Sequence, residues 1–421
     1  MQRRNFLGAA LFGAIGAPLP GGSAAATPIN SAAPTDEAAW RTISAAYPPR
    51  PNTGIINLEF GAFGQMPLSV SEAFQTYSTR VNTEGAYFTR REFAPYYQGL
   101  RQRIAAHLNA DADEIALTRN ATEALQSLIG GYNRLKAGDA VLISDHDYDS
   151  MQTAMRWLKD RRGVDIVTID LPQPATYQGL IDAYDQALSR HQKVRLMLLT
   201  HISHRNGLRL PVRDIIAMAR HKGVDTIVDS AHAWGQGGID VKADGFDFAG
   251  FNLHKWIGAP LGVGAVYIKR DRLADISPFM GEEINAKDPI SARVHTGTPN
   301  YAAQMAAIDA LDFHKAIGSD ACGARLSYLR DLWARPARDL KAIEILTPDD
   351  ARLHAGITSF RLTTDPSVAA HAALAQHLLD KSGLFTVVRT GLSGGACVRV
   401  TPGFTSTPDD MAALLAALKK T

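Results

Sequence analysis

Two apolar stretches of the chain end in residues that do chemistry. Ile227-Val228-Asp229 closes on a carboxylate and runs on into Ser230-Ala231-His232, and further along Asn252-Leu253-His254-Lys255-Trp256 sets an amine among almost uncharged neighbours. An apolar strand ending in Asp places its acid at the edge of a sheet. A second strand, expected over 246–250, delivers Lys255 just past its own end. A carboxylate and an amine brought together this way suit pyridoxal phosphate. The amine condenses with the aldehyde, and the carboxylate keeps the pyridine nitrogen protonated so that the ring accepts electrons. Partial burial lowers a lysine pKa and makes the amine a usable base. Taken singly, a helix-capping Asp and a solvated Lys are far commoner than a catalytic pair. The run Thr118-Arg119-Asn120-Ala121-Thr122-Glu123-Ala124, between a strand and an apolar helix, carries the third element. A helix N-terminus with a hydroxyl and free amides binds phosphate. The same residues also make a plain capping box.

The elements that must position these groups follow from the hydrophobic pattern. Strands are expected at 114–118, 140–144, 165–169, 195–200, 226–229, 246–250 and 264–268, with helices such as 121–135, 148–161 and 212–222 between them. Alternating strand and helix implies an α/β domain whose mostly parallel, seven-stranded sheet is covered on both faces, with ligands at the carboxyl ends of the strands. After a long helix over 321–340, strands at 343–347, 358–362, 386–389 and 397–401 and helices at 366–381 and 408–419 read as a smaller C-terminal α+β domain. Residues 30–75 read as an irregular arm, because Pro48-Pro49 and Gly61-Ala62-Phe63-Gly64 break any regular element. The expected division is a signal over 1–26, an arm over 27–75, a large domain over 76–320 and a small domain over 321–421.

Composition narrows the partners. Of 421 residues, 46% are hydrophobic and 20% charged, and 44 Lys plus Arg against 42 Asp plus Glu leave a net charge of +2. No nucleic-acid or membrane-surface partner is expected from that balance. Two cysteines, Cys322 and Cys397, cannot build a CxxC metal site or a disulfide framework, so no metal is expected. The N-terminus has Arg3-Arg4-Asn5-Phe6-Leu7, a mildly apolar stretch to Leu19 and the small residues Ala24-Ala25-Ala26. That order resembles a twin-arginine export signal. It implies a periplasmic protein that folds around its cofactor before export, with no membrane segment left after cleavage.

Five motifs together resemble the class V aminotransferase family, the pyridoxal-phosphate enzymes of fold type I. They are Ala121-Thr122-Glu123, Asp229 with His232, His254-Lys255, Gly297-Thr298-Pro299-Asn300 and Cys397-Val398-Arg399-Val400-Thr401-Pro402. Asn57-Leu58-Glu59-Phe60-Gly61-Ala62-Phe63-Gly64 and Tyr87-Phe88-Thr89-Arg90-Arg91 look most like the isopenicillin N epimerase-like subgroup. The resemblance implies that Lys255 carries the cofactor and shuttles the α-proton, and that Asp229 pairs with the pyridinium nitrogen. It places His232 against the ring hydroxyl, and Ala121, Thr122, Asn252 and His254 at the phosphate. In the family the site forms across a homodimer, so Gly297 and Thr298 would reach the neighbouring subunit's phosphate. One ring of Asp145-His146-Asp147-Tyr148, either Tyr148 or His146, would stack on the cofactor, since stacking requires a flat face. Arg399 would clamp a substrate carboxylate bidentately. His204 stands where desulfurases keep an Asn and reads as a second acid/base or as a polar wall. The nucleophilic cysteine of desulfurases is missing from the stretch 383–396, and Cys397 reads as a buried filler. Sulfur transfer and C–S lysis are therefore disfavoured. The expected activity is amino-group transfer or epimerisation at the α-carbon of a free amino acid or a peptide-linked one. Periplasmic tailoring of a secreted peptide or siderophore fits the export signal, with exported relatives that modify the glutamyl group of pyoverdine precursors as the comparison. The competing reading is a periplasmic binding protein that keeps the fold without catalysis.

Overall fold

The computed structural model describes residues 32–421 except Thr296. The expected export signal lies outside the described residues. Along the chain come α1 (Glu37–Ala45), β1 (Ile56–Asn57), α2 (Leu68–Arg91), α3 (Ala94–Leu108), β2 (Ile115–Thr118), α4 (Ala121–Gly131), β3 (Ala140–Ser144), α5 (Asp149–Arg162) and β4 (Asp165–Ile169). They are followed by α6 (Tyr177–Arg190), β5 (Val194–Thr200), α7 (Val212–His221), β6 (Asp225–Asp229), β7 (Phe248–Asn252), β8 (Gly264–Ile268), α8 (Tyr301–Ile317) and α9 (Ser319–Ala337). The last part holds β9 (Ile343–Ile345), β10 (Thr358–Leu362), α10 (Val368–Ser382), β11 (Leu384–Phe385), β12 (Val387–Arg389), β13 (Cys397–Val400) and α11 (Pro408–Leu418).

The large sheet has seven strands in the order β2-β8-β7-β6-β5-β3-β4. Only β8 runs against its neighbours, β2 and β7. The sheet's inner strands β3, β7 and β8 are buried along their whole length because both faces are covered, whereas the edge strand β4 is partly exposed. Along β5, Leu196 and Leu198 enter one core cluster with α4 and α5, while Met197 and Leu199 enter the other with α3, α6 and α7. The register sets Thr200 beside Asp229 and Asp229 beside Gly250, so three parallel strands finish at one edge. That edge carries the acid and, just beyond β7, the lysine. The second strand starts at Phe248 rather than 246, so Asn252 is its last residue and Lys255 follows a short turn.

The small domain is an antiparallel sheet, β12-β13-β10-β9, packed with α9, α10 and α11 around Trp333, Phe360 and Val398. The arm is more regular than its prolines and glycines imply. Asp36 caps α1 by accepting from the amides of Ala38 and Ala39, and Trp40 and Ile43 bury its inner face. The arm then joins the small domain. β1 pairs in parallel with β11, and Glu59 bridges Thr401. The expected domain limits at 75 and 321 both fall inside helices, α2 and α9. The first lies well within α2, and the second lies in the first turn of α9, just past the break at Gly318 between α8 and α9. Among the described residues no helix is long and apolar enough to cross a membrane.

Candidate active site

The helix α4 aims its N-terminus at the active edge. Asn120, in extended backbone, accepts from the amide of Glu123 at 2.8 Å, and the Asn252 side chain accepts from the amide of Ala121 at 2.8 Å. Among the described residues the amide of Thr122, between them, has no acceptor. Capping and anion binding are thus combined at one helix end: the cap fixes the turn, and Thr122 keeps a backbone N–H and a hydroxyl at the positive end of the dipole. Ala121 is a wall of the site whose amide is already spent on Asn252. Gly250 allows the close approach, since a Cβ there would lie 2.8 Å from the Leu125 side chain and 3.2 Å from the Ala121 carbonyl.

In front of that helix end is a cavity of about 310 Å³ lined by Thr122, Tyr148, His204, Asp229, His232, Asn252, His254, Lys255 and Arg399, among others. Most of the side chains expected from the sequence therefore share one cavity. Lys255 Nζ lies 2.8 Å from His232 Nε2. Burial, reinforced by the Arg399 charge and opposed by Asp229, lowers the lysine to about 7. His232 is itself held neutral, first by burial and then by the charge of Lys255. Its Nε2 then accepts from Nζ, and its buried Nδ1 has no partner among the described residues. Asp229 is buried and accepts from the Ala231 amide at 3.0 Å, and burial raises its pKa. Its charge calls for a cation on the cavity side. Burial likewise lowers His254 to about 4.

Around the expected Arg399 stand two charged residues that motif reading missed, Glu59 and Arg389. Arg399, with 1% of its side chain exposed, directs Nε and Nη2 at the Glu59 carboxylate and Nη1 at the His204 carbonyl, 2.7 Å away. Arg389 lines the same cavity and donates through Nη2 to Glu59 at 2.9 Å. Thr401 donates to Glu59 at 3.3 Å. The expected clamp is thus already engaged by a carboxylate of the chain. Three of the five Arg399 N–H groups are spent, leaving one on each terminal nitrogen. The signal in the sequence was Glu59 itself, the one charged residue in the run 55–64.

Of the two rings expected to stack, Tyr148 lines the cavity. It is 39% exposed and on the cavity, with its ring 5.0 Å from His204 and perpendicular to it. His146 is not on the cavity wall. Its Nδ1 pairs with Asp145 at 2.7 Å and its Nε2 with Asn206 at 3.1 Å, so both ring nitrogens are committed inside the protein. His204 is held neutral, chiefly by burial and then by Arg205 and Arg399. Gly297 and Thr298 stand apart from Lys255, on a second cavity with Arg119 and Tyr301. Cys397 is fully buried, its Sγ facing the Arg205 carbonyl, and burial pushes its thiol up. It has none of the exposure or thiolate character of a nucleophile.

These residues fit pyridoxal phosphate. An open helix N-terminus suits the phosphate, a buried carboxylate suits the pyridinium, and a lysine of lowered pKa lines the same cavity. Comparison with known proteins agrees. The model of the family "Aminotransferase class-V" matches residues 56–409. An isopenicillin N epimerase of Streptomyces clavuligerus is 27% identical over 380 residues, covering 86% of this chain and 94% of its own. A probable cysteine desulfurase of Methanothermobacter thermautotrophicus is 30% identical over 265 residues, 60% of this chain and 64% of its own. Among solved structures, the cystine C–S lyase C-DES aligns with a TM-score of 0.74 at 23% identity, over 87% of this chain and 97% of that one. One of its structures carries glycine covalently linked to the pyridoxal phosphate cofactor.

Proposed function

The chain belongs to the class V aminotransferase family of pyridoxal-phosphate enzymes, and on that premise we propose that it moves the α-proton of an amino acid or peptide-linked amino acid, transferring the amino group or inverting the centre. The observation that carries this reading is a lysine held near neutrality, 2.8 Å from a neutral histidine, in a cavity that also presents a buried carboxylate and an open helix end. When bound, pyridoxal phosphate supplies an electron sink at the α-carbon. The chain's own residues do the rest. Thr122 and the α4 N-terminus hold the phosphate, with His254 and the amide nitrogen of Asn252 beside it. Asp229 would pair with the pyridine nitrogen and keep it protonated. Lys255 Nζ, poised between its two protonation states, takes and returns the α-proton. His232 accepts from Nζ and keeps it aimed. Tyr148 would cover the cofactor, with His204 packed against its ring, and its hydroxyl would be the second proton donor that inversion requires.

Sulfur chemistry is not part of this reading, because Cys397 is buried and residues 383–396 contain no other thiol. The twin arginines Arg3-Arg4 support export and a periplasmic tailoring role on a secreted peptide or siderophore, in which a glutamyl group is the substrate. A homodimer would bring Gly297 and Thr298 to the neighbouring phosphate. Two measurements test the proposal. Borohydride reduction of the cofactor-loaded protein followed by peptide mapping should place the label on Lys255; a label elsewhere, or none, overturns it. Exchange of the α-hydrogen in deuterated water, run over D- and L-amino acids and glutamyl peptides, should proceed with inversion for an epimerase and with keto product for a transaminase.

A further inference from the structure

The ion pairs behind the cavity contain a charge count that the α-proton chemistry does not explain. Arg399 and Arg389 both line the cavity, and both are neutralised by the same acid, Glu59, whose side chain is 6% exposed. Glu59 is not a loose surface partner. It accepts from Arg399 on two nitrogens, from Arg389 and from Thr401, and its backbone N–H is fixed by Asn57 at 3.0 Å. Buried guanidinium groups must be matched by anions, so two cations against one resident anion leave a single uncompensated positive charge facing the substrate. Its donors are in place: one remaining N–H on each terminal nitrogen of Arg399, and the half-buried Arg389, whose Nε is buried without a partner.

We propose that Glu59 is a specificity-determining residue that fixes the arginine pair to one free positive charge, so that the site accepts amino acids with one carboxylate and discriminates against dicarboxylic ones. A single carboxylate completes the charge balance. A second would stand beside Glu59 with no cation left for it, and discrimination by such an unpaired charge is a repulsive device. A glutamyl unit whose side-chain acid is tied up as an amide counts as one carboxylate. The inference rests on the reading of the Lys255 cavity as the amino-acid site, and L-glutamine and L-glutamate, alike in shape and different in charge, are its probes.

The test uses the cofactor-loaded enzyme, with the visible band of the cofactor as the binding signal for L-glutamine, L-glutamate, L-alanine and L-aspartate. The wild type should bind L-glutamine at least about tenfold more tightly than L-glutamate, a modest cost for one unpaired charge. Glu59→Gln should erase or reverse that ratio, while Glu59→Asp, which keeps the charge, should retain it. Retention of the band in each variant shows that the site is folded and loaded. A wild type that prefers L-glutamate, a ratio unchanged in Glu59→Gln, or no saturable response to any of the four overturns the proposal. Absence of the band in the wild type would instead overturn the cofactor assignment at Lys255.

Discussion

The lysine at the centre of the site should reveal itself by its pH dependence before any substrate is known. Its pKa falls from an ordinary 10.5 to about 7, first through burial and then through Arg399, with Asp229 opposing. The folded value lies below the unfolded one, so the charged form is lost on raising the pH through about 7 rather than through 10.5. At pH 7 about half of the amines are then neutral, against roughly 1 in 3,000 for an ordinary lysine, a gain on the order of a thousandfold in condensing species. Mixing the cofactor-free protein with pyridoxal phosphate and following the visible band gives the loading rate. Dividing by the rate for Nα-acetyl-lysine under the same conditions removes the aldehyde's own titration. The quotient should be large near neutrality and should collapse as the pH rises toward 10. The midpoint of loading should lie near 7 in the wild type, and Arg399→Gln should raise it, because a cation that disfavours the ammonium is gone. A midpoint above about 9, or one indifferent to Arg399, would refute the argument.

Two further outcomes follow from the same geometry. Asp229→Asn should lower α-hydrogen exchange by roughly a hundredfold, the usual order for removing one pre-aimed charge from an active site; NMR of the α-proton measures it, and thermal unfolding should show the fold intact. Gly250→Ala should push α4 off the strand end, since the new Cβ would lie 2.8 Å from Leu125. Overpacking of that kind costs about 1–3 kcal/mol, and pyridoxal-phosphate titration should show weaker binding.

What could be read from the chain was whatever is local in it. A β-branched strand ending in Asp229 and a lysine just past the next strand are each contained in a few consecutive residues, and parallel pairing of β6 and β7 suffices to bring their ends together. The α4 cap was legible for the same reason. Glu59 was not, because its meaning comes from Arg399, 340 positions away, and from the parallel pairing of β1 with β11 that carries the arm there. Tyr148 and His146 could not be separated from the sequence either. Both follow the end of β3 in an irregular turn where no period assigns a side chain to a face, and Asp145 and Asn206 hold both nitrogens of His146 away from the cavity that Tyr148 lines. Helix α1 was hidden by the prolines after it, since the burial of Trp40 and Ile43 that stabilises it depends on elements far along the chain.

The charges that select the substrate also set the strength of the base. Arg399 and Arg389 disfavour the ammonium of Lys255, whereas Asp229 and Glu59 favour it. A carboxylate arriving beside the arginine pair acts in the same sense as Glu59. It weakens the positive field at Nζ and raises the proton affinity of the amine at the moment an α-proton becomes available. Binding and proton removal are therefore coupled through one set of ion pairs, without any movement of the backbone. A ligand of the same shape lacking the carboxylate would lose contact energy and would also meet a weaker base, so its exchange rate at saturation should fall together with its affinity.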